Sequence, residues 1–212
     1  MKSIMLSVQP KWVAKILNKD KTIEVRKQFP KNYIGWVYIY CTKGNGKERL
    51  YPVALLDKSN QVFKRAYRED HIDNRTNYLN GKVVARFWCD KVSEIRRFME
   101  SDHGEFAFAY WDTKPFPNIE NIETKACLTT SELDNYARTK GKIDSVKLNA
   151  IHITKLEIFD EPKELGEFCT IRVIKCKNCK YHKIECSGIS ANKCNTRKPL
   201  TKAPQNYCYV EE

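Results

Sequence analysis

The longest uninterrupted apolar stretches in this chain, Trp36–Cys41 and Phe106–Trp111, are only about six residues long. A membrane-crossing helix needs roughly 20 apolar residues and a secretory signal core roughly 7 to 15. Neither fits, so the chain reads as soluble and cytoplasmic, with Met1-Lys2-Ser3-Ile4-Met5 opening a strand. A core assembled from runs this short is built mainly of strands. After Gly35, Trp36-Val37-Tyr38-Ile39-Tyr40-Cys41 is too aromatic and β-branched for a helix of that length and predicts a buried strand.

Ser3–Val8 predicts a first strand, and Pro10 suits the first turn of a helix, where its missing N–H is not needed. Val13, Ile16 and Leu17 share one face of that helix, with Trp12 beside them, and Asn18-Lys19-Asp20 ends it. Lys21–Arg26 alternates polar with apolar, as an exposed strand does, until Pro30 breaks it. Residues 42–80 are polar and irregular, with a turn at Gly44-Asn45-Gly46, and predict a long insertion between strands. Strand alternation returns over Gly81–Val92, while residues 101–128 show no clear period. Thr129-Thr130-Ser131-Glu132 is a capping box that opens a helix bearing Leu133, Tyr136 and Ala137 and ending near Gly141. Ala150–Phe159 predicts another strand, stopped by Pro162. At 212 residues the chain accommodates one such α+β domain, a small mixed β-barrel with short flanking helices, plus an appendage.

The formal charge of +12 is unevenly spread. Residues 11–49 carry +7 and residues 170–212 carry +6, whereas residues 50–169 carry −2. Two basic blocks favour phosphate-bearing partners through counterion release. Lys21, Glu24 and Arg26 lie within the first block. On a strand, positions 24 and 26 share a face, and a carboxylate between two cations stays ionised and orients both. Such cations hold phosphate, and the carboxylate accepts from a base or sugar. An ordinary surface ladder of ion pairs has the same spacing.

The stretch Asn18-Lys19-Asp20-Lys21-Thr22-Ile23-Glu24-Val25-Arg26-Lys27 resembles the G-x-K-x-x-E-x-R signature of ASCH domains in the PUA-like superfamily. Ser7–Trp12, Gly35–Cys41, Gly81–Ala85, Cys127–Leu133 and Ala150–Ile153 resemble further segments of that family, so the likeness spans residues 1–168. It implies a PUA-like (ASCH) barrel with a cleft beside the first helix that binds RNA or a modified nucleotide. Lys19, Lys21, Thr22, Glu24, Arg26 and His152 are then the nucleotide-binding candidates. Lys19 stands where the family has glycine, so the turn is expected to be built differently or to add charge at the rim. Related amidohydrolases that act on acetylated cytidine need a second threonine where this chain has Glu24. That leaves Lys21, Thr22 and Glu24 as catalytic candidates for the enzyme alternative. Trp12, Trp36, Tyr38 and Tyr40 are candidates for base stacking.

Nine cysteines in a cytoplasmic chain are poor candidates for structural disulfides. Cys41, Cys89, Cys127 and Cys169 sit among apolar residues, whereas Cys176, Cys179, Cys186, Cys194 and Cys208 crowd the end. Cys176-Lys177-Asn178-Cys179 has the C-x2-C spacing of a zinc knuckle. Four of the five thiolates are expected to hold one structural Zn²⁺ in a tail over 169–212. Cys194 and Cys208 are the expected second pair. The ending Pro199–Val210 resembles that of phage-borne ASCH-like proteins, which adds a third function class: a phage-encoded factor that binds a host protein.

Overall fold

The computed structural model describes residues 2–44, 48–56, 62–70, 78–102, 105–112, 121–137, 147–175 and 193–211. Cys176, Cys179, Cys186, Asn45, Gly46 and the expected helix end at Gly141 lie outside these residues. The described chain is mixed α+β, with thirteen strands and three short helices.

Its centre is a five-stranded sheet in the order β10-β6-β3-β1-β13. These strands are β1 (Ser3–Val8), β3 (Gly35–Cys41), β6 (Val83–Cys89), β10 (Thr154–Lys163) and β13 (Tyr207–Val210). Both faces of this sheet are covered, which explains why β3 lacks hydrophobic alternation. On one face Val37, Ile39, Phe87, Ile4 and Leu6 pack with Val13, Ile16 and Leu17 of helix α1 (Pro10–Leu17). On the other, Met5, Tyr38, Tyr40 and Val83 pack with Phe168 and Val210. β1 and β3 are parallel, so the chain needs a crossover between them. Helix α1 and strand β2 (Ile23–Arg26) form it.

β2 belongs to a second sheet, of order β2-β9-β7-β8, with β7 (Val92–Asp102), β8 (Glu105–Asp112) and β9 (Leu148–His152). Ile23, Val25, Ile95 and Leu148 of this sheet pack against Ile122 and Ala126 of α2 (Ile122–Ala126) and Leu133 of α3 (Thr130–Ala137). The capping box forms as expected: Glu132 N–H donates to Thr129 Oγ1 (3.2 Å), and Thr129 N–H donates to Glu132 Oε2 (2.9 Å).

Four expectations change. Among the described residues the strands form four separate sheets and no closed barrel, because β2 pairs with β9 and never with β1. Residues 42–80 contain an antiparallel ribbon, β4 (Arg49–Leu56) with β5 (Val62–Asp70), in place of an irregular loop. Asn18 fastens this ribbon to the helix end by donating from Nδ2 to Tyr67 O and accepting from Tyr67 N–H, both at 2.9 Å. β10 runs through Pro162 because it is an edge strand, where a missing ladder donor is tolerated. The last described strands, β11 (Cys169–Lys175), β12 (Lys193–Pro199) and β13, divide their roles. β11 and β12 form a ribbon of their own, and β13 joins the main sheet beside β1.

Helix α1 closes with two nested bonds, Lys19 N–H to Ile16 O and Asp20 N–H to Lys15 O, both at 2.9 Å. Lys19 takes φ +66° there, the left-handed conformation that glycine supplies most easily. The turn is therefore the glycine turn, built with a lysine. We predict that Lys19→Gly raises stability by about 0.5–1 kcal/mol, because relief of left-handed strain exceeds the added unfolded-chain entropy. Lys19→Val lowers it, and urea unfolding measures both.

Candidate functional site

β2 is the edge strand of the second sheet, and all of it except Arg26 is buried. The exposed alternating strand expected here is instead a buried one whose polar side chains pair with each other. The Glu24 carboxylate sits between two cations: Lys21 Nζ is 3.5 Å from Oε2, and Arg26 Nε is 2.9 Å from Oε1. The Lys21 side chain is only 2% exposed, that of Glu24 7% and that of Arg26 13%.

Each cation also holds a main-chain carbonyl. Lys21 Nζ donates to Ala126 O at the end of α2. Arg26 Nη2 donates to Ser7 O on β1 at 2.7 Å. Ser7 Oγ in turn donates to Pro204 O at 2.6 Å, which draws in the segment before β13. Arg26 Nε, although close to Glu24, makes no aligned hydrogen bond. Its contact with Glu24 is an ion pair outside hydrogen-bond geometry, and the atom itself is shut off from solvent. Burial lowers the Lys21 pKa below its ordinary value, and the neighbouring Glu24 only partly restores it.

The triad lines a cleft of about 1020 Å³. One wall is Gln9 and Trp12 of the first helix region, a second is Leu128, Glu132 and Tyr136, and a third is Leu200–Gln205. Lys11 Nζ and Lys21 Nζ lie 4.5 and 5.2 Å from the centre of the Trp12 ring, within range for cation–π attraction. Lys11 also reaches Glu132 at 3.7 Å. At the rim, Lys27 Nζ is 5.5 Å from the Tyr136 ring, and Tyr136 is exposed.

Lys21, Glu24 and Arg26 thus come together, but not as free cleft-facing groups. Thr22 stands before β2 begins, exposed and absent from the lining. Lys19 is exposed on the helix-end turn and also outside it. His152 pairs with Ile23, so it lies on the β2 face away from Glu24; its Nε2 is 3.3 Å from Ser93 Oγ. Of the candidate stackers, Trp12 and Tyr40 line the cleft, whereas Trp36 packs edge-to-face on Trp88. The Leu200–Gln205 wall had no local signal, since it is placed by pairing between opposite ends of the chain.

Among the described residues no group of three or more His, Cys, Asp or Glu side chains is set to hold a metal. Cys208, an expected ligand, lies on β13 opposite Met5 and packs against the Met5–Phe168 cluster. Burial pushes its thiol up to about 11, which favours the neutral form. Cys194 lies on β12 opposite Ile174, one pair from the end of the β11–β12 ladder.

No family model matches the chain, and no curated protein matches it. Among solved structures it is similar to the crystal structure of ASCH from Zymomonas mobilis, at 12% identity and a TM-score of 0.46, over 100% of this chain and 89% of that one. A mutant of the same Zymomonas mobilis protein aligns at 12% identity and a TM-score of 0.41, over 78% of this chain and 77% of that one.

Removing one partner of a buried charge group leaves the others uncompensated. Glu24→Ala is therefore expected to cost about 3–5 kcal/mol in chemical unfolding. The pH response has a definite sign. With its folded pKa lowered, Lys21 binds its proton more tightly in the unfolded chain. Its contribution to stability is complete above 10.5, the ordinary lysine value, and is lost as pH falls through the folded pKa. Relative to Lys21→Met, the wild type should gain stability as pH rises toward 10.5, as read by urea unfolding at several pH values.

Proposed function

We propose that the cleft binds an unpaired base of a nucleic acid, RNA before DNA, or a modified nucleotide, and that the chain is an ASCH-like binding module. The observation that carries this reading is the pairing of an aromatic surface with cations at a deep polar floor. Trp12 lines the cleft with the Lys11 and Lys21 ammonium groups over its ring. Below it the Glu24 carboxylate and the Arg26 guanidinium, both in the cleft lining, offer an acceptor and a positive charge to a base edge. The cleft volume of about 1020 Å³ is ample for a nucleotide.

The competing reading, an amidohydrolase acting on acetylated cytidine, draws on the lowered pKa of Lys21, since a neutral amine is the form that acts as base or nucleophile. Against it, Lys21 Nζ is already engaged by Ala126 O, and Thr22 stands outside the cleft. Turnover of acetylated cytidine that disappears in Lys21→Met would establish the enzyme. A phage-encoded factor that binds a host protein is the third class, favoured by a tight protein partner with no RNA binding.

The direct test is fluorescence anisotropy with short single-stranded RNA, alongside mass spectrometry of molecules that copurify. Loss of one stacking contact costs roughly 1–3 kcal/mol. Trp12→Ala should therefore weaken RNA binding about tenfold to a hundredfold, and unchanged affinity would remove the cleft from the interaction.

One structural Zn²⁺ belongs to the same reading, held by Cys194 together with Cys176, Cys179 and Cys186, three cysteines outside the described residues. Cys194 stands one pair from the Lys175–Lys193 end of the ladder, and in sequence Cys176 directly follows Lys175. Cys208 is left in the apolar cluster. Elemental analysis should find one zinc per chain in the wild type and in Cys208→Ser, and none in Cys194→Ser. A reduced wild type with neither zinc nor iron would contradict the site.

A further inference from the structure

The sheet face that carries Glu24 and Arg26 continues beyond the cleft. Directly paired residues on neighbouring strands share a face. Arg26 pairs with Asn149, and Asn149 pairs with Glu94. The Asn149 side chain is buried at this junction and donates from Nδ2 to Arg26 O and Lys27 O at 3.2 and 3.1 Å. With strands about 4.8 Å apart, Glu94 lies about 10 Å from Arg26 along this row.

Three cations from three different segments converge on Glu94. Lys31, which follows β2, is 3.5 Å away, Arg96 on β7 is 3.1 Å away, and Lys147 before β9 is 3.2 Å away. Glu94 is itself only 20% exposed, whereas Lys31, Arg96 and Lys147 are 72%, 45% and 48% exposed. One carboxylate cannot neutralise three cations, so the cluster keeps a surplus positive charge open to solvent. The Arg26–Asn149–Glu94 row thus leads from the cleft, which has the Trp12 and Tyr136 rings in its walls, to an open cluster of cations. This sequence of groups suits a chain of bases and phosphates. A run of carboxylates would use the cations and leave the rings without a partner.

We propose that the Lys31–Arg96–Lys147 cluster around Glu94 is a second phosphate site, and that the ligand is a single-stranded oligonucleotide with one base in the cleft and its backbone on this cluster. The proposal rests on the cleft reading above, and it selects a polynucleotide segment over a free mononucleotide.

The test uses the full chain with two probes. One is a labelled single-stranded RNA of about 12 nucleotides, within the site sizes of small single-strand binders, followed by anisotropy. The other is a set of nucleoside 5′-monophosphates, followed by ligand-observed NMR. For the combined variant Lys31→Ala, Arg96→Ala, Lys147→Ala, RNA affinity should fall tenfold or more. Its log-affinity against log-salt slope should flatten by about 2, the value for three lost phosphate contacts on a single strand. Monophosphate binding should not change. Glu94→Gln, which removes the one acidic group, should raise RNA affinity.

Unchanged RNA affinity and slope in the triple variant would overturn the second site and leave the cleft reading intact. Equal loss for both probes would also overturn it, because the cations would then act on the cleft itself. Displacement of the RNA by polyglutamate at equal charge would assign the cluster to an acidic protein partner instead. If the wild type binds neither probe, the cleft reading fails first, and the second site fails with it.

Discussion

Glu24 is the point at which the separate parts of this protein are tied together. Through Lys21 it reaches Ala126 at the end of α2, and through Arg26 it reaches Ser7 on the central sheet. Ser7 passes the connection to Pro204 and so to the C-terminal strand. Two sheets, a helix and the last segment of the chain therefore meet on one carboxylate. Taking three charges out of water is costly, and their mutual attraction repays that cost only with good geometry and further hydrogen bonds. The carbonyls of Ala126 and Ser7 supply such bonds on the side of the cations. The Arg26 Nε contact with Glu24 falls outside hydrogen-bond geometry, which leaves the group one bond short of full satisfaction.

The position of the triad in the cleft lining links stability to binding. A ligand that reaches these charges meets them in a low-dielectric setting, where a hydrogen bond is stronger than in water. The cleft also depends on the order of the chain: its first wall follows β1, its floor is β2, and its last wall precedes β13. A ligand bound there touches segments from both ends of the sequence. Binding should therefore be coupled to docking of the C-terminal strand, since anything that holds the bound arrangement also holds β13 against β1.

How much of this was legible in the sequence depends on the range of the interaction involved. Local chemistry was readable: Pro10 at the start of α1, the Thr129–Glu132 capping box, and β3 as a strand buried on both faces. The spacing of Lys21, Glu24 and Arg26 singled out the triad, but its burial was not readable, because a surface ion-pair ladder and a buried one have the same pattern. The β4–β5 ribbon was hidden for a related reason. It is a two-stranded sheet of its own, so it lacks the clean alternation that packing on a larger core imposes. Pro162 misled because its cost depends on whether a strand lies at an edge. The Leu200–Gln205 wall was unreadable from local pattern, since it is set by a ladder pairing Ser3–Leu6 with Tyr207–Val210.

The central claim is that the buried triad is the floor of a base-binding site. Side-chain ¹⁵N NMR of Arg26 Nε and Trp12 Nε1 during titration with a short single-stranded RNA tests it most directly. The account predicts that both signals shift together and saturably as a base settles against Trp12 and the triad. RNA binding that leaves both signals where they stand in the free protein would contradict it and make the triad a purely structural junction.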